Sequence, residues 1–150
     1  MTMLDTGWDA GGWKAETQAG LRQILKEVRL FLPNLDEARA ITGKGTAAES
    51  AAALQAMGPG LVVIKCGVEG SYARQGDQVC QVPARPVHVY DAVGAGDVFN
   101  AGFIYGLQQA WPLVDCLKFG NLASSIYISR QADRFPRLEE VMAIFQEYYL

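Results

Sequence analysis

The sequence predicts an α/β layered fold with a largely parallel sheet flanked by helices, and three observations carry that expectation. Two short apolar runs of strand length, Arg29-Leu-Phe-Leu32 and Leu61-Val-Val-Ile64, alternate with longer segments whose apolar residues recur at helical spacing. Between Ser71 and Val82 the period becomes that of strands, on either side of Gln75-Gly76-Asp77, which predicts a hairpin and so antiparallel strands toward one edge. No repeat, low-complexity run or linker interrupts the 150 residues, half of them hydrophobic, so one compact domain spanning 1–150 is expected.

Each element follows from local signals. Met3-Leu4 is a stub of apolar sequence ahead of the turn-rich segment from Asp5 to Gly12, and reads as the end of a strand. Leu21, Ile24, Leu25 and Val28 fall at i, i+3, i+4 and i+7, one face of a helix within 13–28. Arg29 to Leu32 is a buried strand stopped by Pro33, and a short helix runs from Leu35 to Thr42, where Gly43 and Gly45 supply the stop. Thr46-Ala-Ala-Glu49 is a capping box for the next helix, ended by Gly58-Pro59-Gly60. After the hairpin, Val87-His-Val-Tyr90 reads as a further extended piece, with His88 facing away from the two valines. Helices are then expected over 97–109, 113–129 and 137–149.

Charge and composition exclude several classes. Thirteen basic against sixteen acidic residues give a net charge of -3 with no block of like charges, which argues against nucleic acid as a partner. No apolar stretch is long enough to span a bilayer, and Met1 to Asp5 lacks the marks of a signal peptide, so a cytoplasmic protein without membrane partners is expected. Cys66, Cys80 and Cys116 are odd in number and lack metal-site spacing; they read as reduced and mostly buried. Trp8 and Trp13 lie beside glycine-rich turns, where packing of the first helix is a better reading than a stacking platform for a sugar.

The segment that carries chemistry runs from Val87 to Gly102, an extended piece, a glycine-rich turn and a helix start in succession. Glycine there permits positive φ and close approach of a ligand. The N–H groups of Gly94, Ala95, Gly96 and Asp97 at a helix N-terminus would form an anion nest whose natural occupant is a phosphate. Asp97 beside that phosphate could accept the proton of an attacking hydroxyl, although alone it could equally be a helix-capping carboxylate. A dinucleotide fingerprint would need glycine where Phe99 stands, and Gly43-Lys44-Gly45-Thr46 follows a helix rather than opening one, so it is a loop rather than a P-loop.

Asp91-Ala-Val-Gly-Ala-Gly-Asp97-Val-Phe-Asn-Ala-Gly102 closely resembles the second signature of ribokinase-type (PfkB) carbohydrate kinases, D-x-x-G-A-G-D followed by an aromatic and a helix of small residues. Pro33-Asn34-Leu-Asp-Glu37 resembles that family's N-x-x-E motif, Ile64-Lys65-Cys-Gly67-Val-Glu-Gly70 its strand-turn before the hairpin, and Gly120-Asn121-Leu-Ala-Ser124 a helix near the adenine. The resemblance implies a ribokinase-like, Rossmann-like fold of which this chain is the C-terminal half. It implies ATP-dependent phosphorylation of a sugar or sugar-like alcohol, with ATP, ADP and sugar as partners and Mg²⁺ as cofactor.

By the same resemblance Asp97 is catalytic and Gly94, Ala95 and Gly96 bind phosphate. Lys65, Gly67 and Asn121 contact nucleotide, and Asn34 and Glu37 organise Mg²⁺ and phosphates. A monovalent cation such as K⁺ would be held by Asp91, the Val93 carbonyl and a later turn. That turn is where the sequence departs from the family, because Ser129 to Pro136 lacks the usual Gly-Ala pair and no glycine follows Gly120. The missing front half supplies most sugar contacts in the family, so the chain alone is expected not to phosphorylate sugar and to self-associate through an exposed sheet edge. A non-catalytic nucleotide-binding module and a Rossmann-type oxidoreductase remain as alternatives.

Overall fold

The computed structural model describes residues 1–149. Its sheet begins with β1 (Met3–Leu4), which pairs in parallel with β2 (Leu30–Phe31); β2 pairs in parallel with β3 (Leu61–Lys65). β4 (Ser71–Gln75) runs antiparallel to β3, and β5 (Gln78–Val82) follows a two-residue turn at Gly76-Asp77 to complete the order β1-β2-β3-β4-β5. Parallel strands with an antiparallel hairpin at one edge are therefore realised as the runs predict.

The helices are α1 (Ala15–Leu25), α2 (Leu35–Thr42), α3 (Ala47–Gln55), α4 (Ala95–Gln108), α5 (Leu113–Ile128) and α6 (Leu138–Tyr149). Capping sets their bounds. Asn34 accepts the Glu37 N–H at 2.8 Å while the Glu37 carboxylate accepts the Asn34 N–H at 2.9 Å, so a full capping box opens α2. Gly43, left-handed at φ +69°, closes it. Thr46 and Glu49 open α3 in the same reciprocal way.

The chain forms two compact units: 1–67 with 71–81, and 68–70 with the chain from Val82 onward. In the first, Leu21, Leu25, Phe31, Ile41, Leu54, Val62 and Ile64 share one buried core, each contributing about 1.5–3 kcal/mol on full burial. Trp13 is buried in that core, whereas Trp8 is exposed, so packing is the role of Trp13. Ile24 departs from the expected face: it is 53% exposed, because the buried stripe of α1 runs through Leu21 and Leu25 and Ile24 sits at its margin.

In the second unit, α4 and α5 approach closely on small residues. A Cβ at Gly102 would lie 3.1 Å from Gly120 Cα, and one at Gly120 would lie 3.0 Å from the Phe99 ring. Aromatic packing fills the rest; Trp111 stacks on Phe145 with centroids 5.3 Å apart, and both lie against Phe119.

The extended piece at 87–90 is not a strand. It joins no ladder, and its recorded main-chain tie is the Tyr90 N–H donating to the Ile128 carbonyl at 2.9 Å. Pro83 and Pro86, between β5 and this piece, remove two N–H donors and so keep β5 from continuing into it. His88 is consequently exposed, edge-on to Tyr90 with ring centroids 4.8 Å apart. Cys66, Cys80 and Cys116 are free thiols; Cys116 is buried and the other two are half-buried. Among the described residues no helix is long and apolar enough to cross a membrane.

Candidate active site

In the second unit the expected site residues from Asp91 to Asp97 gather at the start of α4. Gly94 is its N-cap, left-handed at φ +84°, and a Cβ there would stand 2.9 Å from Tyr127 Oη. Both facts demand glycine. Gly96 has no positive φ and sits inside the first turn, so the conformational need for glycine falls on Gly94 alone. The Val98 N–H makes the first helical bond, to Gly94 O at 3.2 Å, and the Ala95 N–H turns back to Ala92 O at 3.1 Å. That leaves the N–H groups of Gly96 and Asp97 as donors at the positive end of a fourteen-residue helix, a narrower cradle than the four groups expected. The Asp97 side chain is exposed and makes no hydrogen bond or ion pair with any described residue, so its carboxylate faces solvent.

The chain on both sides of Gly94 is braced from three directions. Asp91 Oδ1 accepts the Val93 N–H at 2.9 Å, Tyr127 Oη donates to Val93 O at 3.0 Å, and Ser124 Oγ donates to Ala95 O at 3.1 Å. Arg134 closes the fourth side: its guanidinium donates to Asp91 Oδ2 at 2.6 Å and to Asp91 O at 2.8 Å. The Val93 N–H and the Arg134 guanidinium hold the Asp91 carboxyl below its ordinary value. Sequence reasoning did not single out Tyr127 or Arg134, and the one signal for Arg134 was the absence of glycine from its turn. Asn121 lies 6% exposed, its side-chain amide donating to Val82 O at 3.1 Å and Pro83 O at 3.3 Å; it braces the exit of β5.

A second cluster belongs to the first unit. Asp5, Asn34 with Glu37, and Lys65 follow or end β1, β2 and β3, at the carboxyl ends of three parallel strands, where open α/β sheets bind ligands. A bridge pairs Asn34 with Lys65, and the Lys65 ammonium is ion-paired with Asp5. Gly67 follows at φ +58° with nothing within 4 Å of a built Cβ, so its backbone is open to a ligand. The sequence readings named Asn34, Glu37, Lys65 and Gly67 but missed Asp5, whose signal was a carboxylate directly after a strand end.

Glu37 is 2% exposed, and its burial pushes the carboxyl above the ordinary 4.5 against the opposing pull of the Asn34 N–H. The folded chain thus holds this proton more tightly than the unfolded one. Its contribution to stability is present below the unfolded value and is lost as pH rises through the raised folded value. Glu37→Gln keeps an acceptor for the cap but cannot ionise, so urea unfolding across the acid range should show this part of the pH dependence flattened in the variant. An unchanged profile would remove Glu37 from that account.

The pfkB family carbohydrate kinase model matches residues 2–140. The chain belongs to the pfkB family of carbohydrate kinases. Over 130 residues it is 35% identical to an uncharacterized sugar kinase of Archaeoglobus fulgidus, covering 85% of this chain and 51% of that protein. Over 141 residues it is 32% identical to a 1-phosphofructokinase of Haloferax volcanii, covering 89% of this chain and 46% of the relative. This pfkB chain therefore spans about half the length of the curated relatives it matches. The fold is ribokinase-like: a candidate ribokinase II of E. coli, solved with ATP and Mg²⁺, superposes with a TM-score of 0.83 over 96% of this chain and 48% of its own, at 21% identity.

Proposed function

We propose that this pfkB chain is the nucleotide-binding half of an ATP-dependent kinase that phosphorylates a hydroxyl of a sugar or sugar-like alcohol, with Asp97 as general base. The observation that carries the reading is the N-terminus of α4, where the free N–H groups of Gly96 and Asp97 lie beside an unpartnered carboxylate. Those donors take an anion at a helix end, and the Asp97 carboxylate takes the acceptor proton. As the acceptor O–H gives its proton to Asp97, its oxygen bonds to the γ-phosphorus of ATP. The bond from that phosphorus to the β–γ bridging oxygen breaks, and ADP leaves. The transition state is loose, so charge stabilisation by the α4 donors matters more than the strength of the base.

Among the described residues no group of three or more His, Cys, Asp or Glu could hold a metal by itself. Mg²⁺ commonly binds nucleotide phosphates and waters with one or two carboxylates, and the Asp5 and Glu37 carboxylates past the ends of β1 and β2 are donors of that kind. Asp5 and Glu37 are the residues of the first unit that would hold it; its chemistry is neutralisation of phosphate charge. Gly67 would let backbone approach the nucleotide and Lys65 would add positive charge, while Asn121 acts by holding the chain at Val82 and Pro83. ATP with Mg²⁺ in the E. coli neighbour supports the choice of nucleotide and metal.

The test is calorimetric titration of the folded chain with ADP, ATP and NAD in the presence of Mg²⁺. It is followed by a phosphorylation assay over pentoses, hexoses and nucleosides in a complete pfkB kinase carrying these residues. Saturable ADP binding that ATP displaces and NAD does not is expected. A folded chain that binds neither ADP nor ATP would end the proposal.

A further inference from the structure

The monovalent cation that the family resemblance implies, at Asp91, the Val93 carbonyl and the turn after α5, does not fit the residues present. The Asp91 and Val93 oxygens it would use already have partners. Asp91 Oδ1 holds the Val93 N–H at 2.9 Å, and Asp91 Oδ2 and Asp91 O take the Arg134 guanidinium at 2.6 and 2.8 Å. The Val93 carbonyl accepts Tyr127 Oη at 3.0 Å and has an Arg134 Nη at 3.5 Å.

We propose that Arg134 is the built-in cation of this loop: its guanidinium occupies the place and supplies the charge of an exchangeable monovalent ion, so the Gly94–Asp97 cradle forms without potassium. The side chain is held by its in-plane hydrogen bonds to Asp91 and by a ring against one face. Its guanidinium carbon lies 4.3 Å from the centroid of the Tyr127 ring, and the same Tyr127 hydroxyl fixes Val93 O, one residue before Gly94. A planar fork with fixed donors suits two oxygens of one residue better than a spherical ion does. Being covalently attached, it cannot dissociate, and a second cation beside it would meet like charge. The turn that delivers it is itself anchored through the ion pair of Arg130 with Glu140.

Arg134 is a positioning residue, and its test has one arm that needs no nucleotide. Amide hydrogen exchange across 91–97 and ADP affinity are measured in potassium chloride and in choline chloride at equal ionic strength. The wild-type chain should show the same exchange and the same affinity in both salts. In Arg134→Ala, exchange at 93–97 should quicken and ADP affinity weaken, each by about tenfold, as expected for the loss of charge-assisted hydrogen bonds. Potassium or free guanidinium ion should restore both, and Arg134→Lys should fall between.

A wild-type chain whose loop tightens severalfold with potassium would overturn the proposal. So would an Arg134→Ala chain that behaves as wild type in choline, or one whose defect neither ion repairs. The affinity arm rests on the phosphate-cradle reading. If the wild type binds no ADP in either salt, that reading fails while the exchange data still decide the role of Arg134. If Arg134→Ala does not fold, Arg134→Lys and the wild-type salt response carry the same decision.

Discussion

Asp97→Asn should lower kcat by about 10²–10⁴ while leaving ADP affinity within a factor of about two, measured in a complete pfkB kinase carrying these residues. The split follows from geometry. The Asp97 carboxylate is exposed and unpartnered, so amidation breaks no internal contact and should cost little stability. The Asp97 backbone N–H remains at the helix end, so the anion cradle survives the change. What is lost is the acceptor for the hydroxyl proton, needed only as the new oxygen–phosphorus bond forms. A near-normal kcat would place the base elsewhere. An equal loss in ADP binding would mean that Asp97 shapes the cradle rather than the chemistry.

Gly94→Val should weaken ADP binding by about 100-fold or more, for reasons that can be separated experimentally. A β-branched residue resists the left-handed backbone that Gly94 adopts at φ +84°, a strain of about 1–3 kcal/mol. Its Cβ would also press on Tyr127 Oη, 2.9 Å away, and so disturb the hydrogen bond that holds Val93 O. Both effects tilt the first turn of α4 and misaim the Gly96 and Asp97 N–H groups. Gly12→Ala is the control: Gly12 is also left-handed, at φ +77°, but a Cβ there meets nothing within 4 Å. It should cost stability through strain and leave ADP affinity unchanged. Unaltered ADP affinity in a folded Gly94→Val chain would dismiss the α4 cradle.

Much of the fold was legible because the deciding forces are local. Gly43 lies directly after the short helix it ends, so the stop at Thr42 could be read directly, and the capping pair Thr46 with Glu49 is equally local. The hairpin was legible for the same reason, its turn and both strands lying within a dozen residues. Val87 to Tyr90 shows the limit. Alternation there has the period of a strand, but a strand exists only if a neighbour offers a ladder, and no residue within that stretch says whether one does. Ile24 shows it again, since periodicity defines a stripe and packing alone decides where its margin lies.

By itself the sequence determined the alternation of strands and helices, the hairpin, the glycine-rich entry to α4 and the acid at Asp97. These are set by turn chemistry, capping and the steric freedom of glycine, which act within about four residues. Tertiary structure decided which charges meet. Asp5 reaches Lys65 across 60 positions because three parallel strands end side by side. Arg134 reaches Asp91 across 43 because the turn after α5 returns to the loop before α4. It likewise buried the Glu37 carboxyl within a capping box with Asn34. Such pairings depend on strand register and on the close approach of helices at Gly102 and Gly120, and those are fixed only once the distant parts of the chain have packed.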